Sequence, residues 1–209
     1  YAAALGLMYA VNLGTLLLMG LIGLLRGQTV ENPVDHMADY PAVLNLLLGC
    51  AIAPVCEELL FRRLLLERLR PYGERFALWA SALCFGLFHG NLSQFFYACA
   101  IGGVLAAVAM RTGRLWQCIA LHALLNLVGV GLVPLLSLLG EAGDWVLAAL
   151  VAGVIPLGLA CLAGLRRGFR PEPGRRGLTA GETWRCFLTN PGMLCFLALS
   201  LLLAAAYLA

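Results

Sequence analysis

The chain has no lysine; all 14 of its basic residues are arginine. Charge of either sign is scarce, at 12% of 209 residues, where a soluble domain carries roughly 25%. The net charge is +3 and no basic stripe interleaved with aromatics runs along any segment, so no nucleic-acid partner is expected. Eight cysteines are present without one CxxC pair, which argues against zinc-finger and dithiol redox motifs. Most of them lie inside apolar runs, as reduced cysteines packed like small apolar side chains do. HExxH, the helical signature of many zinc peptidases, is also missing. No internal repeat and no low-complexity segment appears.

What is abundant is apolar surface. Hydrophobic residues make up 62% of the chain and the mean hydropathy is +0.89. A soluble fold has about 45–50% apolar residues, so the sequence reads as a membrane protein with several spans. A helix needs about 20 mostly apolar residues to cross the bilayer core. Seven stretches qualify: 2–25, 41–61, 75–91, 92–111, 115–138, 145–165 and 190–209. The second is expected to continue as an amphipathic helix to about residue 70. The expected fold is therefore all-α, a polytopic integral membrane helical bundle of about seven transmembrane helices. The first run has no basic stretch before it and is too long for a signal-peptide core, so it reads as a span. Tyr1 rather than Met opens the sequence, as in a trimmed or partial chain.

Arginine placement gives an expected orientation, because Lys and Arg collect in cytoplasmic loops. Arg68, Arg70 and Arg75 lie between spans two and three. Arg111 and Arg114 lie between spans four and five. Arg166, Arg167, Arg170, Arg175, Arg176 and Arg185 follow span six. The other side has Arg26 alone, with Glu31, Asp35, Asp39, Glu141 and Asp144. This asymmetry puts the N-terminus in the cytoplasm and the C-terminus outside, which suits a bacterial inner membrane. The Gly/Pro-rich linker RRGFRPEPGRRG, 166–177, reads as a topology signal resting against anionic headgroups, with membrane lipids as partners. Three regions follow: 1–42, an N-terminal span and loop; 43–130, a core; and 131–209, C-terminal spans with the basic loop.

Few polar groups remain inside the spans. They are Glu57, Glu58, Arg62, His89, His122 and Asn126, with Arg63 nearer the interface. Ionisable residues at such depth are costly and usually functional. Glu58 and Arg62 are four residues apart and share a helix face, in the favourable order. Glu57 points about 100° away from Glu58, so Arg62 does not easily serve both. Burial disfavours the charged form of such a carboxyl, which tunes it for acid–base work near neutral pH. Phe85 and His89 are again four apart, as are His122 and Asn126. Straight helices put Glu57 and His89 at one depth, about 20 Å from the basic side, and His122 nearer to it, at about 10 Å.

These residues carry a family resemblance. EELLFR (57–62) fits EExxxR, FGLFH (85–89) fits FxxxH and HALLN (122–126) fits HxxxN. In order and spacing they are similar to the CPBP family, also called Abi or CAAX-protease-like, which covers type II CAAX prenyl proteases and bacteriocin-processing enzymes. The resemblance spans roughly 43–130. It implies an intramembrane endopeptidase acting on a membrane-associated or lipidated, for instance prenylated, peptide. It further implies that Glu57 activates water with help from His89. His122 and Asn126 would hold that water or stabilise the oxyanion, and Glu58 and Arg62 would support them. The family is commonly labelled metalloprotease. Glu57, His89 and His122 could serve as three zinc ligands with an open fourth position, or act without metal as a glutamate-dependent peptidase. Both readings stay open, as do a non-catalytic scaffold or immunity protein and a proton-coupled transporter.

Overall fold

The computed structural model describes residues 1–30 and 40–208, with Arg166 described by its backbone alone. The acidic residues Glu31, Asp35 and Asp39 lie outside the described residues. Eight helices follow one another among those described: α1 (Ala2–Arg26), α2 (Ala42–Tyr72), α3 (Glu74–Phe88), α4 (Leu92–Thr112), α5 (Leu115–Ser137), α6 (Glu141–Arg166), α7 (Ala180–Leu188) and α8 (Pro191–Leu208). Six of them, all but α3 and α7, are long and apolar enough to cross a membrane. Their large side chains point outward, with Leu24 82% and Leu138 81% exposed. An apolar exterior on this scale calls for lipid, not water, as its solvent.

The expected third span is different in kind. α3 has 15 residues, about 22 Å of helix, short of a 30 Å hydrocarbon core. Ten of those residues are buried, among them Ala77, Ala80, Ser81, Ala82 and Phe85. It is therefore an inner helix, shielded by its longer neighbours. Small residues let α4 lie close against it: Gly102 sits over Ala82 and Phe85. Two apolar clusters join α3 to α2 and α4, one of Phe61, Cys84, Phe85, Ala98 and Met193, the other of Leu66, Ala77, Leu78 and Ala106. A third, with Ala4, Ile101, Leu105, Cys118 and Leu125, joins α1, α4 and α5.

The connections follow local chemistry. The turn from α3 to α4 is closed by Gly90 at φ +63°, a conformation glycine adopts without Cβ strain. Asn91 then caps α4, its side chain accepting from the Gln94 backbone N–H. α6 begins four residues before the expected span, at Glu141, because its first turn holds Glu141 and Asp144, which favour a helix N-terminus. α7 interrupts what the sequence reads as loop. Thr179 and Glu182 cap it reciprocally, which keeps the Glu182 carboxyl below its ordinary pKa.

The basic segments expected on one side do meet. The Glu74 N–H donates to the Glu172 carbonyl (3.0 Å) and the Arg175 N–H to the Pro71 carbonyl (2.9 Å). Arg70 pairs with Glu74 at 2.5 Å, and Arg111 lies over the Phe169 ring. Two grooves of about 500 and 400 Å³ lie here, lined by residues such as Arg70, Glu74, Glu172 and Arg175 and, in the second, Trp79 and Trp184. Neither groove is lined by Glu57, Glu58, Arg62, His89, His122 or Asn126.

The α1–α6 crossing is the tightest test of this packing. A Cβ on Gly158 would come within 2.5 Å of both the Ala2 carbonyl oxygen and the Gly6 Cα. Gly158→Ala is expected to destabilise the protein by about 1–3 kcal/mol through overpacking. Gly153→Ala, five residues earlier with open space around it, is expected to be neutral or mildly stabilising. Thermal melting of the two variants in detergent checks the contrast.

Candidate active site

The site is assembled where α2, α3 and α5 meet. Glu58 and Arg62 are buried, at 0% and 2% exposure. Glu58 Oε2 lies 3.0 Å from Arg62 Nε as an ion pair. Its N–H is not aimed squarely at the oxygen, since neither atom completes a hydrogen bond there. Arg62 donates through Nη1 to the Ser81 hydroxyl (3.1 Å), which in turn donates to the Phe61 carbonyl (3.2 Å). Its Nη2 finds no hydrogen-bond partner among the described residues. The guanidinium instead lies 4.9 Å from the Phe85 ring centroid, which attracts a cation through its π face.

Glu58 also reaches across to α5. Its Oε1 is 3.0 Å from His122 Nδ1. An ionised carboxylate only accepts hydrogen bonds, so Nδ1 carries the proton. Nε2 of the neutral ring is then left with its lone pair. That nitrogen faces Glu57 Oε2 at 3.9 Å. Glu57 Oε2 is buried and has no hydrogen-bond partner among the described residues. The two neighbouring carboxylates thus sit on either side of one imidazole: Glu58 sets its tautomer and Glu57 faces its free nitrogen.

His89 sits across Phe85 from this pair. Its Nδ1 is 2.8 Å from the Phe85 carbonyl, an acceptor-only group, so Nδ1 is again the protonated nitrogen. The Phe85 ring lies edge-on to both imidazoles, with centroids 5.1 Å from His89 and 5.6 Å from His122. Asn126 turns toward α2 and donates through Nδ2 to the Gly49 carbonyl at 2.8 Å. The sequence explains why that carbonyl is available. Leu47–Ile52 is wound as a π-helix, where a carbonyl bonds the N–H five residues on. The Ala53 N–H goes to Leu48, and residue 54 is proline, with no N–H to give.

All six residues singled out in the sequence therefore lie around one junction. Glu57, Glu58, Arg62 and His122 are in direct contact, His89 is joined through Phe85, and Asn126 through Gly49. The depth offset expected for His122 is absent: its ring lies 3.0 Å from Glu58 and 3.9 Å from Glu57. Arg63 and Glu67 pair in the open, 63% and 50% exposed.

Ser81 was not singled out, although it lies four residues before Phe85 and eight before His89, on the same face of α3. Extending FxxxH back by one turn finds it. Asn91 was missed as well. It is 4% exposed and donates to the His89 carbonyl at 2.8 Å. Its signal was the helix-capping position just after the HG turn.

The comparisons agree with the motifs. Residues 39–128 match the family described as type II CAAX prenyl endopeptidase Rce1-like. The matched segment is under half of the chain and contains every residue of the junction. No curated protein and no solved structure matches the chain. Glu57, His89 and His122, the donors that would hold zinc, are not brought together as one group of three. Among the described residues, no three His, Cys, Asp or Glu side chains are grouped to hold a metal ion.

Removing one partner of a buried ion pair strands the other, at a cost of about 3–5 kcal/mol. Arg62→Met is expected to lower stability by that amount, read as a lower melting temperature in detergent. Arg63→Met, at an exposed pair, is expected to change it by less than about 1 kcal/mol.

Proposed function

We propose that the chain is an intramembrane endopeptidase that hydrolyses a peptide bond in a membrane-associated, prenylated substrate with water activated by Glu57. The supporting observation is Glu57 Oε2, which has no hydrogen-bond partner among the described residues and faces His122 Nε2 at 3.9 Å. With Glu57 ionised and His122 neutral, both atoms accept hydrogen bonds. A water that donates one O–H to each, at about 2.8 Å, fits between acceptors about 4 Å apart. That position suits a nucleophile whose two protons are already directed at bases. The match to a family of CAAX-type endopeptidases supports the same class of reaction and suggests the prenylated C-terminal peptide as substrate.

In this mechanism the water oxygen attacks the scissile carbonyl carbon. One proton passes to Glu57 and the carbonyl electron pair moves onto oxygen. When the tetrahedral intermediate collapses, the C–N bond breaks and Glu57 returns the proton to the departing amine. His122 orients the water through Nε2, while Glu58 fixes His122 and Arg62 with Ser81 fixes Glu58. A base held at hydrogen-bonding distance typically contributes 10²–10⁴-fold to such a step.

Glu57→Gln keeps the shape and removes the base. Cleavage of a quenched, farnesylated peptide by the purified variant is expected to fall by at least about 10²-fold, with an unchanged melting temperature. Wild-type turnover by the variant would show that Glu57 is not the base.

For orientation, we propose a bacterial inner-membrane protein with a cytoplasmic N-terminus and an external C-terminus. The meeting of residues 70–75, 111 and 165–176 on one side supports a shared arginine-rich face. Alkaline phosphatase fused after residue 208 is expected to be active and a fusion at residue 178 inactive. The reverse pattern would invert the topology.

A further inference from the structure

The arginine-rich face holds more positive charge than its own acids can match. Residues 68–76 and 166–185 contain nine arginines and three glutamates. Each of those glutamates is already engaged: Glu74 with Arg70, Glu172 with Arg175 at 3.7 Å, and Glu182 with the Thr179 cap. The guanidinium groups of Arg68 and Arg75 have no hydrogen-bond or ion-pair partner among the described residues.

Arg75 differs from Arg68 in where it stands. It lines the groove of about 400 Å³ formed by α3, the linker and α7. Most of α3 is buried, yet Arg75 and Trp79, four apart and so on one face, are exposed and line this groove together. Trp79 is 60% exposed. The linker and α7 contribute Leu178, 44% exposed, and Trp184, which stands edge-on to Phe76 with centroids 4.9 Å apart. Tyr72 also lines the groove, with the Arg176 guanidinium 5.6 Å from its ring centroid. The linker is fastened in place by its backbone bonds to Glu74 and Pro71. Gly174 comes so near that a Cβ on it would lie 2.5 Å from the Tyr72 carbonyl oxygen. Tryptophan beside arginine is the composition of a membrane interface, where the indole sits at headgroup level. A free phosphate would use the arginine alone. A phospholipid would use both groups, its phosphate at the guanidinium and its upper carbons at the indole.

We propose that this groove seats the headgroup of one anionic phospholipid, with its phosphate paired to Arg75 and its glycerol and upper acyl carbons resting on Trp79 and Leu178. The inference needs only the membrane-spanning helices and is independent of the endopeptidase reading. A choline headgroup would bring a further cation to a face already in positive excess, so a zwitterionic lipid is the poorer occupant. The bound lipid bridges α3, which carries Ser81, Phe85 and His89, to the linker that follows α6.

The full chain is reconstituted in dioleoylphosphatidylcholine vesicles carrying a minority of brominated phosphatidylglycerol or, in a parallel set, of brominated phosphatidylcholine. Bromine on the acyl chain quenches a nearby indole, and the difference from Trp79→Phe isolates the signal of Trp79. Brominated phosphatidylglycerol is expected to quench Trp79 the more strongly. Arg75→Gln is expected to weaken that preference about fivefold, the effect of one arginine near an anionic surface. Arg75→Lys keeps the charge and is expected to retain most of it. Arg68→Gln removes the same charge from outside the groove and is expected to leave the preference unchanged. Both arginines are exposed, so neither substitution threatens the fold. Equal quenching by the two lipids overturns the proposal. An equal loss in Arg68→Gln and Arg75→Gln also overturns it, since a diffuse field and not a site would then select the lipid. Loss of the preference on adding inorganic phosphate at constant ionic strength would reveal a site for a soluble anion and overturn the lipid assignment.

Discussion

The carboxylate of Glu58 is the constraint on which the junction depends. Its two oxygens bind groups from two different helices, Arg62 one turn on in α2 and His122 in α5. A charge buried this completely persists only with partners. The same bonds that satisfy it dock α2 to α5 and leave His122 with a bare Nε2 directed at Glu57. Stability and reactivity are thus coupled through one side chain. Arg62 is fixed in its turn from α3, by the Ser81 hydroxyl and the face of Phe85.

A second link between α2 and α5 comes from a defect in the backbone. Pro54 withholds an N–H where the π-wound segment has need of one, and Asn126 supplies a side-chain N–H instead. Buried carbonyls need partners in a membrane even more than in water, so this is a specific way of pinning two helices. Widened turns recur at Leu59–Leu66, directly after Glu58, and at Val128–Leu132, two residues after Asn126. Such turns are frequent at functional sites. Here they change the direction of side chains on either side of the polar junction.

The sequence made much of this legible, for physical reasons. Hydropathy alone marks the long spans, because lipid accepts only apolar helix surfaces. Charges inside those spans are so costly that their positions point to the site directly, and the spacing of four between Glu58 and Arg62 shows their pairing. The inner role of α3 was hidden, since a buried helix and a lipid-facing one are equally apolar. The partner of Glu57 was hidden too. Helix periodicity tells which residues share a face but not at what depth two helices meet, so His122 emerged beside both glutamates only in three dimensions. Ser81 and Asn91 are ordinary polar residues in composition. Their importance comes from what they touch.

The glycine crossing of α1 and α6 has a consequence for how the chain is made. Gly6 and Gly158 pack directly against each other, yet about 150 residues separate them. During synthesis from the N-terminus, α1 enters the bilayer long before its partner exists. Its narrow glycine groove meets only acyl chains until α6 arrives. The polar junction of α2, α3 and α5 is translated in between, so all of its partners exist before α6 completes the glycine crossing.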